Sequence, residues 1–353
     1  MVLNNPDKYK KADIVVFHRT GDMKEVSRIL DENKIFTNIY NFPYINKLNV
    51  IYLLLVFIFP RYLIPRLCLN NESNIFKKKH YDILISQNHL YASFFNRLSK
   101  GSEVHFIEDG LSSYTSRTVD PKQRSWYFTL ANRFLFRGGL ISAVKIQYLY
   151  WPSMYMGEFI GIQQLPVCKP KDLHIYNHIF KYEINKIYDD CKFVYLGTPY
   201  SGLLKLVSKD QCICNDFETK AKYIVDSAIR TAKNKDFIYR KHPVENIDEE
   251  GYAKICKIDI LENMWEVECG NSITSDHMIV SFFSTGMFTP KILYNQEPYL
   301  VFLYKILDVD FFNADNLVFE LKKMYDNPSK IMTPESLGEL CVIIKQHEHV
   351  KII

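Results

Sequence analysis

Three short segments carry residue types able to do chemistry together: Ile107, Glu108, Asp109 and Gly110; Arg240, Lys241, His242 and Pro243; and Phe283, Ser284, Thr285 and Gly286. They supply carboxylates, an imidazole flanked by cations, and a pair of hydroxyls. Such a set suits a metal-free transfer from a phosphate leaving group. An acceptor hydroxyl needs a base, the departing phosphate needs positive charge or a proton, and its oxygens need hydrogen-bond donors. Gly110 lets the backbone turn sharply behind the carboxylates. Taken alone, Glu108 and Asp109 also read as an acidic turn closing a strand. His242 follows two cations and precedes a proline that restricts its backbone. An imidazolium there, beside Arg240 and Lys241, pairs with a phosphate and protonates it as its bond to a sugar breaks; taken alone, His242 reads as a surface residue. Ser284 and Thr285 offer hydroxyls and, at an expected helix start, unpaired amides that favour an anion. An ordinary N-cap uses the same geometry.

Other phosphate and metal devices are missing or incomplete. The sequence has no GxxxxGK[ST] and no GxGxxG after a strand. Asp308 and Asp310 have the spacing that holds a divalent cation on a sugar nucleotide, but they read more simply as a loop following a strand over residues 299–304. The eight cysteines include no CxxC pair, and no ligand pair completes Cys212 and Cys214 as a metal site. Scattered thiols indicate a reducing compartment, and no cofactor and no metal are expected.

The three segments need a framework that delivers them to one place. Short β-rich runs alternate with helical patterns in the first half: a strand over 14–17, a helix over 23–32, then 35–39, 82–86, 90–98 and a strand over 104–107, with Gly101 as a helix stop. This alternation predicts an α/β fold with a parallel sheet and helices on its faces, and it puts Glu108 and Asp109 at a carboxyl edge, where open α/β sheets place ligands. The run LPVCKPK at 165–171 has two prolines and no periodicity, and reads as a crossing between halves. A second alternation follows. A strand over 193–196 ends at Gly197, Thr198 and Pro199. A helix capped by Asn215 or Asp216 presents Phe217, Ala221, Ile224, Val225, Ala228 and Ile229 on one face. Strands over 237–239 and 277–283 deliver His242 and Ser284. With 353 residues, 47% of them hydrophobic, the chain can fill two cores. The expected domains are 1–165, a linker at 166–190, 191–330, and a helical tail at 331–353.

The net charge of +4 is spread along the chain, and no nucleic-acid motif accompanies it, so no nucleic-acid partner is expected. Lys77, Lys78 and Lys79 form a local basic run that reads as a solvated face or as weak attraction to anionic surfaces. Residues 50–59 are apolar but stop at Pro60 and Arg61, short of the about 20 residues a spanning helix needs. The run reads as a helix buried between layers or as a membrane-surface helix. The N-terminus lacks the apolar core of a signal peptide. A cytoplasmic protein is expected, with peripheral association at the cytoplasmic face of the inner membrane and a homodimer as open alternatives.

At these residues the chain resembles bacterial sialyltransferases, which share a D/E-D/E-G motif, a later His-Pro motif and a Ser/Thr motif nearer the C-terminus. Glu108, Asp109 and Gly110, then His242 and Pro243, then Ser284 and Thr285 match in that order. The branch it is most similar to is glycosyltransferase family 52, the lipooligosaccharide and capsule type, where a Gly-Ser/Thr-Pro segment matching Gly197, Thr198 and Pro199 precedes the His-Pro motif. The resemblance implies two Rossmann-like domains in a GT-B-type architecture, CMP-sialic acid as donor, a glycan hydroxyl as acceptor, inversion at the anomeric carbon, and no metal. It implies that His242 is the general acid, that Ser284 and Thr285 hold the phosphate oxygens, and that Gly197, Thr198, Lys241 and Pro243 line the donor site. Asp109 would be the base, with Glu108 beside it; Tyr200 stands where the lipooligosaccharide branch carries an Asp. Many relatives begin with a further strand and a Thr-Pro-Tyr-His-like turn, so the short polar stretch before residue 14 reads as a missing first βα unit. Two other functions fit the same residues: a transferase using CMP-Kdo or another activated sugar, and a catalytically impaired CMP-binding protein of polysaccharide assembly.

Overall fold

Runs of Val, Ile, Tyr and Phe become short strands, and the stretches with a 3.6-residue period become helices, across the residues the computed structural model describes: 12–18, 23–43, 59, 63, 81–86, 102–108, 111–114, 144–155, 161–198, 216–232, 236–243, 245, 249–261, 263–307 and 314–348. The chain divides into two units, Met1–Pro166 and Val167–Ile353.

The first unit contains β1 (Asp13–His18), α1 (Met23–Glu32), β2 (Asn38–Pro43), β3 (Ile83–Ser86), β4 (Glu103–Ile107), β5 (Val144–Leu149) and β6 (Ile162–Gln164). β1 and β2 pair in parallel, as a βαβ crossover through α1 requires. β3, β4, β5 and β6 form a second parallel sheet in that order. Asp13 links the two sheets: its carboxylate accepts from Asn38 Nδ2 at 2.6 Å on β2 and from the Tyr81 hydroxyl at 2.7 Å just ahead of β3. On β4, Val104, His105 and Phe106 are buried in succession rather than alternately, because a central parallel strand is covered on both faces. The strand expected at 35–39 begins later, at Asn38. The expected helix at 90–98, the lysine run at 77–79 and, apart from Phe59, the apolar run at 50–59 lie outside the described residues.

The second unit contains α2 (Pro170–Ile179), β7 (Phe193–Leu196), α3 (Phe217–Thr231), β8 (Phe237–Arg240), α4 (Glu249–Ala253), β9 (Lys257–Ile258), α5 (Trp265–Ser272), β10 (Met278–Ser281), α6 (Thr289–Tyr294), β11 (Tyr299–Phe302), α7 (Ala314–Met324), β12 (Ile331–Met332) and α8 (Leu337–Glu348). The segment read as a linker holds α2, which starts at Pro170 with Asp172 closing a box onto the Lys169 backbone. Six parallel strands run in the order β12-β11-β10-β7-β8-β9. The chain therefore builds outward from β7 through β8 to β9, returns to β10 on the other side of β7, and builds outward again. This is the doubly wound order, with its reversal between β7 and β10. Every residue of β7 and β10 is buried. α3 buries Phe217, Ala221, Ile224, Val225, Ala228 and Ile229, the stripe its periodicity predicts. Fully burying a large apolar side chain of this kind contributes about 1.5–3 kcal/mol. α8, in the region read as a tail, buries Leu340 and Ile344, and β12 pairs with β11. Among the described residues no helix is long and apolar enough to cross a membrane.

Candidate functional site

Parallel strands end on one edge, so the order β10-β7-β8 places three loop starts side by side. Neighbouring strands stand about 4.8 Å apart, and the three loops therefore begin within roughly 10 Å of one another. They carry Ser284 and Thr285 after β10, Gly197 and Thr198 after β7, and Lys241, His242 and Pro243 after β8. The winding reverses between β7 and β10, and in open α/β sheets such a reversal is where the carboxyl edge takes ligands.

Gly197 and Thr198 are drawn tightly into this edge. Gly197 N–H donates to Arg240 O at 2.8 Å, extending the β7–β8 ladder by one bond. A Cβ on Gly197 would collide with Glu245 Oε2 and stand 3.0 Å from the His242 amide nitrogen. Glycine here permits the close approach of the two loops. Thr198 Oγ1 lies 3.2 Å from Ser281 Oγ, and Ser281 donates to Leu196 O at 2.8 Å, which joins the ends of β7 and β10.

The His242 loop differs from the sequence expectation in one respect. Arg240, read as a cation beside the imidazole, turns into the interior: its guanidinium pairs with Asp259, meets the Tyr188 hydroxyl at 3.3 Å and donates to Asn263 O. Asp259 also accepts from Asn185 Nδ2 and the Tyr188 hydroxyl, both at 2.8 Å. A cation held this way is fixed by its desolvation, since leaving its partner buried alone is costly. Lys241 pairs with Glu249 at 2.7 Å, and Pro243 is exposed. His242 is half-buried, and burial pushes its imidazole below the ordinary value, favouring the neutral ring until an anion arrives. Its backbone N–H donates to Glu245 Oε2 at 3.0 Å, while the Tyr239 hydroxyl donates to Glu245 Oε1, also at 3.0 Å. Burial raises the Glu245 carboxyl, opposed by those two hydrogen bonds.

Ser284 caps a three-residue 3-10 turn, Thr285–Met287, rather than opening an α-helix directly; α6 follows it. Ser284 has extended backbone, and its Oγ accepts from Gly286 N–H at 3.2 Å, which leaves the hydroxyl hydrogen as a donor. Thr285 is exposed beside it. Trp265 Nε1 donates to Gly286 O at 2.8 Å from the start of α5.

In the first unit, Glu108 follows β4 and is tied down by one oxygen: Oε2 accepts from the Tyr114 hydroxyl and from Tyr150 N–H, the latter at 2.8 Å. Burial raises its carboxyl above the ordinary value, opposed by both hydrogen bonds. The Tyr114 oxygen in turn accepts from Trp151 N–H at 3.1 Å, so Glu108 joins the 3-10 turn Leu111–Tyr114 to the end of β5. Asp109 and Gly110 lie outside the described residues, as do Pro199, Tyr200, Cys212, Cys214, Asp308 and Asp310. Among the described residues no group of three or more His, Cys, Asp or Glu is placed to hold a metal ion.

Glu245, Asp259, Trp265 and Ser281 escaped the sequence reading. Only Glu245 carried a local signal, as a carboxylate three positions after His242.

No family model matches the chain, and no curated protein matches it. Among solved structures it is similar to the GT-B domain, residues 113–497, of a sialyltransferase from Photobacterium damselae, with 12% identity, 94% of each chain covered and a TM-score of 0.48. The α/β architecture described above rests on the sheets themselves.

Proposed function

We propose that this chain is an inverting, metal-independent sialyltransferase of the GT-B and family 52 kind, moving sialic acid from CMP-sialic acid to a galactose hydroxyl of a bacterial surface glycan. One observation carries the reading. The three strands at the reversal of the doubly wound sheet end in Gly197 and Thr198, in Lys241, His242 and Pro243, and in Ser284 and Thr285, so the hydroxyls and the imidazole of the motif set leave one edge.

In this reading the donor phosphate lies at that edge. Ser284 and Thr285 donate to its oxygens, Thr198 and Gly197 form the floor, and Lys241 contributes positive charge. The phosphate's charge draws a proton onto His242, reversing the effect of burial, and His242 returns that proton as the bond from phosphate oxygen to the anomeric carbon breaks. The acceptor hydroxyl forms the new bond to that carbon from the opposite face and gives its proton to Asp109. Glu108, anchored through Tyr114 and Tyr150, directly precedes Asp109 in the sequence.

Purified protein incubated with CMP-sialic acid and a panel of galactosides, read by mass spectrometry with and without EDTA, tests this. Sialylated product in both conditions is the expected result. Transfer from CMP-Kdo alone would change the donor, CMP binding without any turnover would make the chain a binding protein, and loss on chelation restored by Mg²⁺ or Mn²⁺ would bring Asp308 and Asp310 into the site.

A further inference from the structure

The donor site has two walls on different strands, and a single side chain bridges them. Arg240 is the last residue of β8 and directly precedes Lys241 and His242. Its guanidinium is immobilised by Asp259, Tyr188 and Asn263, and its Cζ stands 5.3 Å from the centre of the Trp265 ring. Trp265 Nε1 then donates to Gly286 O at 2.8 Å, and Gly286 N–H donates to Ser284 Oγ at 3.2 Å. A continuous set of contacts thus runs from the His242 strand to the Ser284 hydroxyl. The indole also occupies space that only glycine leaves open, for a Cβ on Gly286 would lie 2.9 Å from Trp265 Nε1 and 3.1 Å from Leu196 Cδ1 at the end of β7.

We propose that Trp265 is a positioning residue that fixes the turn at 284–286 against the His242 strand, so that both walls present their groups to one phosphate. This rests on the donor-site reading above. Trp265 is half-buried, so water could satisfy its N–H in an unconstrained loop; the bond to Gly286 O therefore sets where the turn sits rather than merely satisfying a donor. Stacking under the immobilised Arg240 keeps the indole from swinging away.

The test uses the full chain and titrates CMP by calorimetry. Trp265→Phe keeps a ring for Arg240 and removes the N–H. CMP should bind about fivefold to tenfold more weakly, the equivalent of one net hydrogen bond. The KM for CMP-sialic acid should rise by the same factor while kcat holds, because the loss falls equally on ground and transition states. Gly286→Ala should weaken CMP comparably in the wild-type background and clearly less in the Trp265→Phe background, where the smaller ring withdraws from the new methyl and only the Leu196 Cδ1 approach remains. Unchanged CMP affinity in Trp265→Phe, or effects of the two changes that simply add, overturns the proposal. If Trp265→Phe loses its cooperative melt, Gly286→Ala decides alone, and wild-type CMP affinity in that variant is the overturning result. A wild-type protein that binds no CMP removes the donor-site reading and this proposal together, whereas wild-type binding matched by Trp265→Phe removes only this proposal.

Discussion

Asp259→Asn should destabilise the second unit more than any change of one atom at its surface. The Asp259 side chain is 0% exposed and that of its partner Arg240 11%. Its two oxygens accept from Arg240 Nη1, from the Tyr188 hydroxyl at 2.8 Å and from Asn185 Nδ2 at 2.8 Å. The amide removes the counter-charge, leaves a guanidinium buried beside a neutral group, and turns one acceptor into a donor that faces another donor. Breaking a buried ion pair from one side costs about 3–5 kcal/mol. At about 2–4 °C per kcal/mol for a unit of this size, the melting temperature should fall by roughly 6–20 °C. Circular dichroism melts of the ligand-free protein measure this directly. Adding Arg240→Met should recover part of the loss, because the stranded charge is then gone. A drop smaller than about 3 °C, or no recovery in the double variant, would refute the reasoning that desolvation holds Arg240 in the interior.

Four further outcomes are expected. His242→Ala should lower transfer by about 10²- to 10⁴-fold with an unchanged circular dichroism spectrum. In the wild type, CMP-sialic acid, whose phosphodiester has no second proton to lose, should bind more tightly as the pH falls, since binding raises an imidazole that burial holds low. A slope that persists in His242→Ala would assign the proton elsewhere. Asp109→Asn should cut turnover strongly while barely changing CMP affinity, and Glu108→Gln should be milder; normal turnover in the Asn variant, or parallel loss of CMP binding, takes the base role from Asp109. Acid should destabilise the second unit through His277 and His347, whose imidazoles burial pushes below the ordinary 6.5. His277 Nδ1 accepts from Thr274 N–H at 3.0 Å, a bond that protonation breaks. At these two sites the folded chain binds fewer protons than the unfolded one below 6.5, so their contribution to stability is full above that pH and is lost as the pH falls through it toward the folded values. Urea midpoints measured from about pH 7 down to about pH 5 check this, and a flat profile would exclude both histidines.

The sequence by itself determined the class of the fold and the limits of several elements. β7 is legible at 193–196, and β10, at 278–281, within the run read as 277–283, because strands covered on both faces must be apolar throughout. The stripe of α3 is legible because the 3.6-residue period of a helix selects one face. The same local rules give no signal for β9 and β12, which are two residues long and exist only because a neighbouring strand pairs with them. Tertiary structure alone decided the strand order, and with it which loops share an edge. It also decided the meaning of Arg240, which in sequence is a cation beside His242 but in the fold is a buried ion: its partners Asp259 and Tyr188 lie 19 and 52 positions away. Glu245 against Gly197, and Trp265 beneath Gly286, follow the same logic. Periodicity and turn chemistry act over a few residues and set which face of an element is apolar, whereas the pairing of charges and the approach of two loops depend on how distant segments are ordered in the sheet.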